Sequence, residues 1–273
     1  MQILSALALN ANIAGYAAGG VSDNAGKYVC VPVLNCHSCP GAVGACPIGA
    51  MQAVAGSRPH SVSFYALGFV VLCGLLLGRW LCAFICPFGL IQELLHRLPA
   101  PRLVVKPAID KRLRYLKYAV LLILALGLPA LLVDAYGNGA PFFCKYLCPA
   151  GTLEGGLLLL LQAPLRELAG GLWWWKLGLL LALLLVSAAL YRPFCKYLCP
   201  LGAIYGLCNR YSLYQMRVDR DKCVDCGKCE RLCPMQAALL SNANSAECIR
   251  CGGCRAVCPA QAISAGFTPP ARP

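Results

Sequence analysis

Charged side chains are scarce in this chain. Asp, Glu, Lys and Arg make up 13% of its 273 residues, and only 11 of these charged residues are acidic. Apolar residues make up 59% of the chain, which is more than an ordinary soluble fold contains. The composition therefore argues against a typical soluble enzyme and predicts a membrane protein.

Several familiar motifs are also missing. The chain has only three histidines, at His37, His60 and His96, and no Cys-x2-Cys-His site for haem attachment. The sequence contains no phosphate-binding glycine loop, and no Ser/His/Asp set can be assembled from it. These absences disfavour haem, nucleotide and serine-hydrolase chemistry.

The formal charge of +13 does not indicate nucleic acid, because no basic and aromatic surface motif accompanies it. Most of the basic residues lie in two blocks beside apolar segments, where they act as topology signals. An oxidised four-iron cluster held by four thiolates carries roughly −2, so several clusters would cancel much of the positive excess.

Three apolar stretches approach the roughly 20 residues that a helix needs to cross the hydrocarbon core. They are Ser61–Leu81, Tyr115–Val133 and Leu172–Tyr191. Ile3–Ala18 is diluted by Asn10 and Asn12 and is a candidate fourth span, without the positive start of a cleaved signal. Leu157–Leu161 is too short to span and is a candidate start of a tilted or re-entrant helix.

Basic residues predict the orientation of the chain in the membrane. One block joins the first two spans and the other follows the third, so both are expected to be cytoplasmic. The blocks are Arg97, Arg102, Lys106, Lys111, Arg112, Arg114, Lys117 and then Arg192, Lys196, Arg210, Arg217, Arg220, Lys222. Residues 20–60 and 134–171 are expected on the other side.

The strongest signal lies near the C-terminal end, where CVDCGKCERLCP from residue 223 and CIRCGGCRAVCP from residue 248 repeat the four-iron ferredoxin pattern. In this pattern the last cysteine of each copy ligates the other cluster. The predicted ligand sets are Cys223, Cys226, Cys229, Cys258 and Cys248, Cys251, Cys254, Cys233. Zinc modules use paired cysteines with a longer insert, so zinc is disfavoured.

A second cysteine motif, Cys-x3-Cys-Pro-x-Gly, occurs three times in the apolar part of the chain. The copies are GRWLCAFICPFG, PFFCKYLCPAG and RPFCKYLCPLG, and ACPIG at Ala45–Gly49 is a partial copy in which Ala42 replaces the first cysteine. The four-residue spacing places both sulfurs on one face of a helix or tight turn, and two such pairs supply four thiolates. By the predicted topology, Cys82, Cys86, Cys195 and Cys199 converge on an inner membrane cluster.

Six cysteines remain on the outer side, at positions 30, 36, 39, 46, 144 and 148. The favoured ligands of an outer cluster are Cys144, Cys148, Cys46 and Cys39, with Cys30 and Cys36 spare. The N-terminal four alone are a competing set, and disulfides remain an alternative in an oxidising compartment. Cys73 and Cys208 lie outside the motifs and are expected to be buried small apolar residues.

At these motifs, over roughly residues 60 to 260, the chain resembles the NapH-type membrane polyferredoxins. The resemblance implies a bacterial or archaeal inner-membrane electron carrier between the quinol pool, cytoplasmic carriers and extracytoplasmic reductases. The sequence departs from that family in a third complete membrane motif and in the array CVPVLNCHSCPGAVGACP from Cys30. This departure raises the prospect of an electron path that continues to the outer face.

The sequence therefore predicts a mainly α fold, with a helical membrane domain of three or four transmembrane helices and a small α+β ferredoxin domain carrying two [4Fe-4S] clusters. The predicted organisation is residues 1–60 as an N-terminal segment with an extracytoplasmic cysteine array, 61–212 as the membrane domain, 213–265 as the ferredoxin domain and 266–273 as a tail. The predicted function is electron transfer between a cytoplasmic donor or the quinone pool and an extracytoplasmic reductase. A quinol dehydrogenase or metal-ion reductase subunit, with quinone as a further cofactor, and a redox-sensing or assembly protein are the alternatives.

Overall fold

The computed structural model describes residues 1–18, 21, 25–57, 64–160 and 170–267. The described chain is mainly helical, with one two-stranded sheet near its C-terminal end. The predicted start of the first span at Ser61, the histidine at position 60 and residues 268–273 of the tail lie outside the described residues.

The described residues form short helices around two long ones. In chain order the helices are α1 Gln2–Leu9, α2 Ile13–Ala18, α3 Pro47–Ala55, α4 Phe64–Leu77, α5 Trp80–Phe84, α6 Pro87–His96, α7 Pro107–Leu131, α8 Phe143–Leu147, α9 Gly151–Gly156, α10 Gly171–Ala189, α11 Pro193–Tyr197, α12 Pro200–Cys208, α13 Lys228–Leu232 and α14 Gly253–Ala256. One α-helical turn, Leu157–Leu159, continues α9. Helices α8 and α9 are π-helical, as is the Val120–Gly127 part of α7. A 3₁₀ turn covers Ala25–Tyr28.

Two of these helices, α7 with 25 residues and α10 with 19, are long and apolar enough to cross a membrane by length and composition. The described part of the first predicted span is the shorter apolar helix α4, with 14 residues. The N-terminal segment is not one span: it forms α1 and α2, which are eight and six residues long. Asn10 ends α1, and its side-chain amide donates to the carbonyl of Ala6.

Each Cys-Pro pair of the membrane motif begins a helix. Cys46, Cys86 and Cys199 have extended backbones and cap α3, α6 and α12, each of which has proline in its first turn. Proline suits that position because its fixed φ is helical and its missing N–H would have no partner there. The chain therefore breaks at every motif and starts a new helix with its N-terminus beside a cysteine.

The C-terminal domain is built on two antiparallel strands, β1 Tyr214–Val218 and β2 Ile263–Phe267. Between them lie α13 and α14, each entered through a glycine with positive φ, Gly227 at 65° and Gly252 at 80°. Glycine adopts this left-handed conformation without steric cost, so both cysteine runs can turn sharply into a helix. A small apolar core that includes Met216, Leu239 and Ile263 joins the strands to the cysteine loops.

Buried polar groups fasten this domain to the helical part. Glu247 lies between Arg79 at 3.0 Å and Lys117 at 2.5 Å, and both basic side chains are fully buried. Burial alone would raise the pKa of Glu247, but the two cations hold it below its usual value. Arg250 adds hydrogen bonds to the carbonyls of Leu77 and Asn209.

Some of the basic residues that the sequence presented as topology signals have a different role. Lys117 lies inside α7 rather than in a loop, and its partner is Glu247. Lys196 is buried against Asp110 at 2.6 Å. Arg192 is likewise buried and pairs with Glu93 at 2.9 Å. The sequence pattern did not separate these structural cations from solvent-facing ones, because the acidic partners are distant along the chain.

Candidate iron–sulfur centres

The two cysteine sets predicted from the ferredoxin runs each surround one cavity. One cavity is lined by Cys223, Cys226, Cys229 and Cys258. The neighbouring cavity is lined by Cys233, Cys248, Cys251 and Cys254, with Cys229 also on its wall. The exchange of the fourth cysteine between the two runs is therefore present in the geometry.

Backbone amides point at the exchanged sulfurs. The N–H of Ala237 donates to Cys233 Sγ and the N–H of Ala262 donates to Cys258 Sγ, each at 3.4 Å. Such N–H···S bonds favour the thiolate form. Burial acts in the other direction, and it raises the pKa of Cys254 to about 12. Iron bound at this site would favour the thiolate, because a thiol loses its proton when it ligates a metal.

The donor chemistry fits a four-iron cluster better than a single ion. All 20 cysteines are described and are free thiols, so the disulfide alternative is not formed in the structure. Within the described residues, no three His, Cys, Asp or Glu side chains have the spacing for one metal ion. A zinc site would need four sulfurs about 2.3 Å from a common centre. The exchanged ferredoxin pattern, in which the last cysteine of each run lines the cavity of the other, is the pattern of four-iron clusters.

The inner membrane set also surrounds one cavity. Its walls carry the four predicted cysteines of the first and third motifs, together with the Pro32–Leu34 segment and Leu201 and Gly202. Those cysteines are Cys82, Cys86, Cys195 and Cys199, each at most 9% exposed. The N–H of Gly202, at the start of α12, donates to Cys199 Sγ at 3.3 Å. The four cysteines that the sequence grouped therefore line one cavity, and their role as cluster ligands stays a prediction.

Two buried arginines hold the halves of the inner site together. Arg79 donates to the carbonyl of Cys195 at 2.9 Å, and Arg192 donates to the carbonyl of Cys82 at 2.5 Å. Each arginine lies three residues before the first cysteine of its own motif, so the contact is reciprocal. Because each guanidinium reaches across to the other motif, the two cysteine pairs are fixed relative to each other.

The outer site differs from its prediction in one residue. Cys36, Cys46 and Cys144 all lie close enough to Cys148 for their charges to interact. A Cβ placed on Gly151 would lie 3.7 Å from Cys36 Sγ and 3.8 Å from Cys148 Sγ. The structure thus brings Cys36, Cys46, Cys144 and Cys148 together at the start of α9.

Cys39, which the sequence favoured, lies close enough to Cys36 for their charges to interact, but its sulfur has other hydrogen-bonding neighbours. Its Sγ lies 3.6 Å from Asn10 Oδ1 and 3.8 Å from the hydroxyl of Tyr16, against the two N-terminal helices. Cys36 takes its place because its backbone N–H donates to Glu154 Oε2 at 2.8 Å, which ties the loop to α9. Cys30 pairs through its backbone with Ala45 and lies in the apolar core. Nothing in the cysteine spacing distinguished Cys36 from Cys39, since the deciding contact is with a residue 118 positions away.

The inner and outer sites share a wall. Pro32, Val33 and Leu34 line the inner cavity, and the carbonyl of the next residue, Asn35, accepts the N–H of Cys46 at 2.9 Å. Tyr205 is fully buried between the sites, and its hydroxyl donates to the carbonyl of Pro32 at 2.8 Å. One residue of main chain and one hydrogen bond therefore separate the inner cavity wall from an outer cysteine.

Comparison with known proteins places this arrangement in a family. A family model described as a 4Fe-4S binding domain matches residues 59–106, 119–164 and 172–219, together just over half of the chain. A second model with the same description matches residues 215–238. The chain therefore belongs to the 4Fe-4S binding domain family.

Three individual relatives are similar to this chain over more than half of its length. The chain is similar to the methylamine utilization ferredoxin-type protein MauN of Paracoccus denitrificans, with 31% identity over 65% of this chain and 55% of MauN. It is 26% identical to the ferredoxin-type protein NapH of Haemophilus influenzae over 71% of this chain and 61% of NapH. An uncharacterised protein of Methanocaldococcus jannaschii is 31% identical over 58% of this chain and 52% of its own length. These relatives confirm the NapH-like character of the chain, which spans between half and two thirds of their length; no solved structure matches.

Proposed function

We propose that this protein carries single electrons across the cytoplasmic membrane through four [4Fe-4S] clusters, between a cytoplasmic donor or the quinone pool and an extracytoplasmic acceptor. The observation that carries the proposal is the series of four cysteine-lined sites, each adjacent to the next. When bound, such a cluster accepts and releases one electron at a potential that its surroundings set. The protein supplies thiolates, burial, hydrogen bonds and spacing.

Contacts between the ferredoxin domain and the helical part support an order in which electrons would pass through the sites. The site of Cys233 and Cys248 faces the membrane domain, because its neighbours Met235 and Ile249 pack against Ala83. Asn209, at the end of α12, donates to the carbonyl of Cys248 at 2.7 Å. Arg79 then links Glu247, the residue before Cys248, to the carbonyl of Cys195 in the inner site. The remaining site, which includes Cys226, comes first in this order and is the one that a soluble donor would meet; each ferredoxin site has one exposed thiol, at Cys226 and Cys251.

An electron would have to cross a hydrocarbon core of roughly 30 Å, and the broken helices shorten the distance between the inner and outer sites. Helices α3 and α12 each contain nine residues and start at a membrane cysteine, so each rises about 13 Å from its site. Helix α3 ends beside Gly139, and α12 ends beside the ferredoxin domain. Two such helices span most of a hydrocarbon core of roughly 30 Å, which leaves the two sites close together near its middle. Discontinuous helices that meet at mid-membrane sites are a known device of membrane proteins.

The surfaces of the long helices support insertion in lipid. Leu122 on α7 and Leu181 and Leu185 on α10 are 63%, 52% and 75% exposed in the isolated chain. Water would disfavour these surfaces, whereas hydrocarbon would accommodate them. We propose that α4, α7 and α10 span the bilayer and that the ferredoxin domain lies on the cytoplasmic side, in line with the remaining basic residues of residues 97–117.

A second candidate function, quinol oxidation, rests on a cleft between the membrane and ferredoxin domains. The cleft has a mixed lining: apolar side chains such as Leu103 and Val104 lie beside His96, Tyr191 and Tyr197, and Cys233 is on its wall. Charged and amide groups also line it, from Arg102, Lys196, Glu230, Arg231 and Gln236. A cleft that offers both apolar surface and hydrogen-bonding groups beside a redox site could hold a quinone ring. Inhibitor-sensitive quinol oxidation with a semiquinone signal would favour this function. Reduction only by soluble donors would favour the carrier.

The test of the main proposal is the iron and acid-labile sulfide content of anaerobically purified protein, together with EPR of the reduced sample. About sixteen irons per chain support four clusters and the path across the membrane. About twelve would remove the outer site from the path, and about eight would leave a ferredoxin attached to the membrane. Cys208→Ala is a matched control, since Cys208 packs against Gly74 outside the cysteine-lined cavities.

A further inference from the structure

We propose that Gln52 and Gln92 are equivalent positioning residues that set the reduction potentials of the outer and inner membrane clusters. Each donates an amide N–H to one ligand sulfur, that of Cys144 or Cys195. The inference rests on the proposed function, because it concerns the clusters assigned to these sites. It assigns a role to two residues that lie outside every cysteine motif.

The inner copy is completely hydrogen-bonded. Gln92 is fully buried on α6, and its Nε2 lies 3.1 Å from Cys195 Sγ and 3.3 Å from the carbonyl of Phe88. Its Oε1 accepts the backbone N–H of Phe194 at 3.1 Å. A buried amide that uses both N–H groups and its oxygen in this way has one orientation.

The outer copy repeats the same contacts. Gln52 is fully buried on α3, and its Nε2 lies 3.1 Å from Cys144 Sγ and 3.2 Å from the carbonyl of Ile48. Its Oε1 accepts the N–H of Phe143 at 2.9 Å. Gln52 follows Cys46, and Gln92 follows Cys86, at the same spacing of six residues. The same constellation in two halves of the molecule is hard to attribute to packing alone.

The direction of the sulfur contact follows from the other partner. A backbone N–H can only donate, so the amide atom that faces Phe143 or Phe194 must be the oxygen. The NH₂ group is then left facing the sulfur, which settles the usual ambiguity of a glutamine amide. The sulfur therefore acts as an acceptor, the role of a thiolate ligand.

The other two helices that follow Cys-Pro pairs lack this donor. At the same spacing, Glu154 follows Cys148 and Tyr205 follows Cys199. Glu154 accepts from the N–H of Cys36, and Tyr205 donates to the carbonyl of Pro32. Each membrane site thus receives one glutamine donor, and the remaining two positions hold the shared loop in place.

An N–H···S bond strengthens as the cluster gains negative charge, so it favours the reduced state and raises the potential. Removing one donor is expected to change the reduction equilibrium of that cluster about tenfold, which corresponds to a fall of about 59 mV for a one-electron couple. The reduction potentials of the other membrane cluster and of the two ferredoxin clusters are expected to stay unchanged.

The experiment is an EPR-monitored redox titration of the full-length, iron-loaded protein. Gln92→Leu is expected to lower the midpoint of one membrane cluster and Gln52→Leu that of the other, with iron content unchanged. Gln215→Leu is the matched control, because Gln215 is buried in the ferredoxin domain and donates to the carbonyl of Arg210. Gln92→Glu and Gln52→Glu keep the length of the side chain but present an acceptor, instead of a donor, to the sulfur. They provide the same test if a leucine variant loses iron.

The outcomes separate this inference from the proposed function. Full iron content with unshifted midpoints in both the leucine and the glutamate variants would overturn the role of the glutamines and leave the four clusters in place. An equal shift at all clusters would also overturn it, since the contacts are local. Absence of membrane clusters from the unmodified protein would overturn the proposed function itself.

Discussion

The position of Cys36 gives the sharpest test of the outer site. Cys36→Ala removes one of four sulfurs that lie around the start of α9, while the contact of the backbone N–H with Glu154 is retained. Three thiolates then remain for the outer cluster. Iron is expected to fall from about sixteen to about twelve per chain, or to about fifteen where a three-iron cluster survives.

Cys39→Ala provides the matched control, because its sulfur lies against Asn10 and Tyr16. It is expected to retain about sixteen irons and all EPR signals of the reduced protein. The assay is iron and sulfide determination with spin quantitation on anaerobic preparations of both variants. Loss of iron from Cys39→Ala together with full iron in Cys36→Ala would refute the placement of the loop.

Arg79→Met removes a buried partner of Glu247 and is expected to cost roughly 3 kcal/mol, seen as faster proteolysis between the two domains. Unchanged protease resistance would contradict the role of this ion pair. Gly56→Ala is expected to cost about 1 to 3 kcal/mol, because its Cβ would lie 2.7 Å from the Cα of Gly139. In the same thermal unfolding assay, Gly178→Ala in α10 is expected to be neutral or stabilising, since no atom lies within 4 Å of its Cβ. A lower unfolding temperature for Gly178→Ala than for Gly56→Ala would show that helix packing is misassigned.

Local patterns in the sequence predicted much of the fold and of the sites. The ferredoxin sets could be read from spacing because their ligands lie within two short runs, and the sheet brings those runs together. The inner set could be grouped from the repeat and the predicted topology, and in the structure the first and third motifs line one cavity. Helix α7 begins at Pro107, earlier than the predicted Tyr115, and two basic residues of its early turns have acidic partners: Arg114 pairs with Asp110 and Lys117 with Glu247.

Contacts between distant residues could not be read in this way. Gln52 and Gln92 appear in the sequence as ordinary polar residues in apolar helices, and only the fold brings them to the sulfurs of Cys144 and Cys195. The likeness of the two halves could have revealed them, because both follow a Cys-Pro pair at the same distance. No pattern in the sequence indicated that Cys36, rather than Cys39, would lie at the outer site.

The incomplete fourth motif bears on why one segment of the chain lies against both the inner and the outer site. Where the other copies have a first cysteine, this copy has the fully buried Ala42, so the outer site must obtain a sulfur from elsewhere. The loop that supplies Cys36 also provides Pro32, Val33 and Leu34 to the inner cavity. A single segment, from Pro32 to Cys46, therefore lies against both sites, and hydrogen bonds from Cys46 and Tyr205 hold it there.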